Sequence, residues 1–111
     1  MRRAAGWWER IDYCVLEREI GFQHPDIPEV RIMVQVWWHR DLEPEPYRFE
    51  LSHYVHTPEQ VRPYVPSSPY ARTAVAAVER AIAAIMDQIE RAKRAGHSPD
   101  PSWFLRRPAG A

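Results

Sequence analysis

Apolar and polar residues alternate along three stretches of the chain and recur at helical spacing along a fourth. In the first, about residues 8–20, Ile11, Tyr13 and Val15 share one parity against Arg10, Asp12 and Cys14, as in a half-buried strand. Past Val15 the apolar parity moves to Leu16, Ile20 and Phe22, which predicts a bulge near Leu16 to Arg18 that turns the later residues over. The prolines of Gln23 to Pro28 predict a loop. Residues 30–40 are rich in β-branched and aromatic side chains and form the clearest strand, with Ile32, Val34, Val36 and Trp38 facing inward. After the turn at Asp41 to Pro46, residues 47–56 alternate again, with Tyr47, Phe49, Leu51 and Val55 on the apolar parity. Matching the two parities across that turn sets Trp38 opposite Phe49, Val36 opposite Leu51 and Ile32 opposite Val55.

Thr57-Pro58-Glu59-Gln60 has the spacing of a capping box, but Pro63 limits it to a short turn at 58–61. Ser68 is a natural N-cap, with Pro69 at the first helical position and Gly96 placed to end the helix, so the pattern predicts a helix over 69–95. Ala71, Val75, Val78, Ile82, Ile85, Ile89 and Ala92 draw one apolar stripe along it. Asp87 to Arg91 and Glu90 to Arg94 are spaced for surface ion pairs. The expected fold class is therefore α+β: a three-stranded antiparallel β-meander followed by one long C-terminal α-helix packed on one sheet face. Residues 1–96 form the single domain and residues 97–111 an irregular, proline-rich tail with an aromatic anchor.

A helix of that length spans roughly 40 Å at ~1.5 Å per residue, against about 30 Å for the strands, so it overhangs a three-stranded sheet. Either the tail folds back, with Trp103 and Phe104 over Ile85, Met86 and Ile89, or a second copy covers them. Ala74, Ala77, Ala81 and Ala84 flank the stripe and let another helix approach closely, which points to a homodimer through the long helix.

The sheet face turned away from the helix carries the candidate functional residues. Odd positions of the second strand place Arg31, Met33, Trp37 and His39 there, beside Arg48, Tyr54 and His56 of the third. Aromatic residues, Met and Arg are enriched at the centres of protein interfaces, so this face and the Trp103–Phe104 run are the expected partner-binding surfaces. The same residues allow bases to stack on the sheet, which makes single-stranded nucleic acid the alternative partner. Equal numbers of acidic and basic residues, fifteen each, weigh against that alternative.

No catalytic or metal constellation emerges, and no cofactor is expected. His53 and His56 sit three apart on a strand and point to opposite faces, and His39 and His56 lie roughly 26 Å apart in the expected register at ~3.3 Å per residue. Cys14 has no base near it in sequence. An enzyme of unknown reaction is left as the second alternative. With a single cysteine, no asparagine and no apolar run of membrane length, the chain reads as a cytoplasmic protein that engages a protein partner and no membrane.

Overall fold

The computed structural model describes residues 13–107. The architecture is α+β, an antiparallel sheet whose strands lie in the order Cys14–His24, Ile27–His39, Tyr47–Leu51, Tyr70–Ala71, with one long helix packed on one face. The strands are β1 (Cys14–His24), β2 (Ile27–His39), β3 (Tyr47–Leu51), β4 (His53–Val55), β5 (Tyr70–Ala71) and β6 (Phe104–Arg106), and the helix is α1 (Ala74–Arg94). The expected first strand lies partly outside the described residues, and the described part runs four residues further than residue 20.

β1 and β2 form a long hairpin whose register changes between Leu16 and Arg18, leaving Glu17 as an extra residue. That is the bulge the parity change required, and it lets Val15, Ile20 and Phe22 share the inner face. The expected loop at 23–28 is instead a tight connection, with His24 paired to Ile27 across Pro25 and Asp26. The His24 side chain takes over the turn's hydrogen bonding there by accepting the Asp26 N–H, so β1 runs up to Pro25 and β2 starts at Ile27 and includes Pro28.

β2 and β3 pair Trp38 with Tyr47, Val36 with Phe49 and Val34 with Leu51. The parity is as read, but the register is two residues from the expected one. His39 donates its N–H to the Pro46 carbonyl at 2.7 Å, which closes the connection there and fixes the count. Ladder pairing ends at Ser52. Its N–H donates to the Met33 carbonyl and its Oγ accepts the Met33 N–H, while its carbonyl accepts the Arg107 N–H. The single third strand of the sequence reading is thus two, because the chain forks at Ser52 from β2 toward the C-terminal segment. β4 pairs with β6, setting Val55 against Phe104.

The described part of the tail, residues 97–107, is therefore ordered rather than irregular. Asp100 caps a 3₁₀ turn at Pro101–Trp103, the His56 N–H bonds the Trp103 carbonyl at 2.7 Å, and β6 follows. Trp103 and Phe104 are 5% and 8% exposed and join the core that contains Ile85 and Ile89. Both isoleucines are thus buried within the single chain.

The helix begins five residues later than Ser68-Pro69 suggested. Thr73 is the N-cap, its Oγ1 accepting the Ala76 N–H at 3.0 Å, and Tyr70–Ala71 are drawn into the sheet against β3. At the other end Gly96, at φ 96, permits a Schellman closure in which the Gly96 and His97 N–H groups reach the carbonyls of Lys93 and Ala92. Starting at Ala74 removes much of the expected overhang. It also changes which residues meet the sheet: Ala77, Ala81, Ile85, Ile89 and Ala92 are buried, whereas Val75 is exposed. Ala77 and Ala81 allow a close approach to the chain's own sheet and are not presented to a second helix.

Candidate functional site

The outer sheet face is built by alternation along β1, β2 and β3. The cross-strand rows are Leu16, Trp37 and Arg48, then Glu19, Gln35 and Glu50, with Gly21 beside Met33. Leu16 is 42% exposed, and Trp37 and Met33 are half-buried. The Arg31 guanidinium lies flat over Gly21, where a Cβ would sit 2.5 Å from its Nε. A side chain at 21 would displace the flexible end of this arginine from its place over β1.

Charges rim the apolar centre in pairs. Arg48 Nη1 bonds Glu50 Oε1 at 2.7 Å, Arg107 Nη1 is 3.8 Å from Glu50 Oε2, and Gln35 Nε2 donates to Glu19 Oε2 at 2.8 Å. Arg48 is thus committed to a carboxylate, which weakens its claim on a phosphate. Among the described residues the Trp37 Nε1 proton is buried without a partner.

Five of the candidate residues, Arg31, Met33, Trp37, His39 and Arg48, lie on this one face. Tyr54 and His56 do not continue it, because the fork at Ser52 carries β4 to β6. Tyr54 stays near Arg48 across a cleft of about 140 Å³ that Val65, Pro66 and Arg107 help to line. His56 is engaged elsewhere, its Nε2 bonding the Gln60 carbonyl at 3.0 Å. Trp103 and Phe104 are core residues and offer no surface.

His53 pairs with Arg106, and its Nδ1 bonds Ser52 Oγ at 2.7 Å. Burial, with the Arg106 charge second, holds its imidazole below the ordinary 6.5. Ser52 Oγ also accepts the Met33 N–H, so the same hydroxyl ties His53 to the fork.

One group among the described residues brings three metal-capable side chains together: His24, Asp26 and Glu90. Sequence reasoning missed it, since Glu90 is remote in the chain and only the fold brings it to the hairpin turn. Its chemistry favours a clamp over a metal site. The Asp26 N–H donates to His24 Nδ1 at 3.0 Å, so the ring proton resides on Nε2, 3.8 Å from Glu90, where a metal would need a bare lone pair. The Lys93 ammonium already bonds Asp26 at 2.6 Å and Glu90 at 3.4 Å.

Comparison with known proteins yields no match to a family model, to a curated protein or to a solved structure. No described helix is long and apolar enough to cross a membrane.

Proposed function

We propose that this chain is a non-catalytic interaction module that docks a protein partner on its outer sheet face, centred on Trp37. The observation that carries the reading is the Leu16–Trp37 pair. These two apolar side chains face each other across β1 and β2, on the side away from α1, with Met33 further along β2. A folded domain gains nothing by leaving a leucine open beside a tryptophan, whereas a partner that covers both removes apolar area from water. The rim of Glu19, Gln35, Arg48 and Glu50 gives polar groups to set orientation.

The test is photo-cross-linking in cells. A benzophenone amino acid in place of Trp37 should give a discrete adduct with another protein, and the same probe in place of Glu79, on the exposed face of α1, should not. Equal labelling at both positions, or none at either, would count against the proposal.

A further inference from the structure

The outer edge of β1 has no strand beside it among the described residues. Which of its backbone groups point outward follows from the bonds on its other side. Arg40 donates its N–H to the Tyr13 carbonyl, while His39 and Met33 bond toward the third strand, through Pro46 and Ser52. Bonding sides alternate along an antiparallel strand, so Trp38, Val36, Val34 and Ile32 bond toward β1, to Val15, Arg18, Ile20 and Phe22. Cys14, Leu16, Glu19 and Gly21 therefore turn their N–H and C=O groups outward. The step between outward residues is two, except across the bulge, where Leu16 to Glu19 is three.

That longer step decides how the edge can meet its own copy. A regular edge strand pairs with itself only between residues of one parity. Around the centre of β1 this would set Arg18 against Arg18 together with Glu17 against Glu19, or, one register over, Glu17 against Glu17, with like charges opposed. With the bulge, residues whose numbers sum to 35 become paired, and the three-residue steps of the two strands match each other.

We propose that two copies join antiparallel along β1, with Leu16 opposite the partner's Glu19 and Cys14 opposite the partner's Gly21. Glu17 then meets the partner's Arg18, and Arg18 meets the partner's Glu17. Val15, exposed in the single chain, lies against the partner's Ile20 on the inner face. The result is a continuous eight-stranded sheet. A bulge and charges on an edge ordinarily keep strands apart. Here their order of signs accepts one partner, the same strand reversed, and the dimer presents two outer faces side by side.

Sedimentation equilibrium of the full chain tests this. The wild type should sediment as a dimer. Arg18→Glu, which sets glutamates against each other twice, should weaken the dimer about tenfold or more, with an unchanged far-UV spectrum. The double variant Glu17→Arg/Arg18→Glu restores opposite charges in this register alone and should recover the dimer. A monomeric wild type, a dimer indifferent to Arg18→Glu, or a double variant no better than the single one would each overturn the proposal.

Discussion

The buried imidazole of His24 accepts the backbone N–H of Asp26 at its Nδ1 and directs its Nε2 toward Glu90 of α1, so one side chain serves both the β1–β2 turn and its contact with the helix. His24 is 2% exposed. Its replacement by alanine removes a turn bond and leaves a cavity, which together should cost about 2–4 kcal/mol. Urea unfolding of His24→Ala against wild type measures this.

The ion pair beside it sets a pH window. The Lys93 hydrogen bond, the largest cause, holds the Asp26 carboxyl below the ordinary 3.8, and the same bond raises the Lys93 ammonium above the ordinary 10.5. A carboxyl lowered by folding contributes stability in full above 3.8, and the contribution is lost as pH falls through its lower folded value. For the raised ammonium the contribution is full below 10.5 and lost as pH rises through its higher folded value. Asp26→Asn should therefore flatten the acid limb of the stability–pH curve and Lys93→Met the alkaline limb, read from unfolding midpoints across both limbs.

The C-terminal segment is part of the domain. Trp103→Ala should cost about 3–5 kcal/mol, and removal of residues 97–111 should unfold or loosen the whole chain. Thermal melts of both variants check this. A truncated chain as stable as the full one would contradict the docked arrangement of β6.

Much of this fold was legible from two periodicities. Alternation gave the inward set Ile32, Val34 and Val36, and the parity change after Val15 placed a bulge near Leu16 to Arg18, where Glu17 is the extra residue. Helical spacing and Gly96 gave the end of α1. What escaped depended on groups remote in sequence. Ser68-Pro69 has the local form of a helix start, yet Pro69 and Tyr70 are held along β3, and the Phe49 N–H on the Pro69 carbonyl outweighs a local cap. Ser52 gave no sign of a fork, because its partner strand lies more than fifty residues on. Trp38 has the inward parity but is only half-buried, since the helix does not reach that corner of the sheet. Of the candidate surface, the β2 residues and Arg48 were readable from parity, while Tyr54 and His56 were misplaced by the unseen fork.

The helix approaches the sheet through small side chains. Ala81 is fully buried, and Ala81→Leu should force α1 away from the strands at a cost of about 1–3 kcal/mol. Ala83→Leu, at an exposed position on the same helix, should be neutral within about 0.5 kcal/mol. Chemical denaturation of the pair distinguishes them. Equal losses would mean that another face of the helix meets the sheet.

The most direct measurement is the affinity of the partner captured by the probe at position 37 for Leu16→Glu, determined by titration calorimetry beside the wild type. Burying a charge where the Leu16–Trp37 pair meets the partner should weaken binding at least about tenfold, while the unfolding midpoint stays within the small range of surface substitutions. Unchanged affinity in a folded Leu16→Glu protein would contradict the assignment of the outer sheet face as the docking surface.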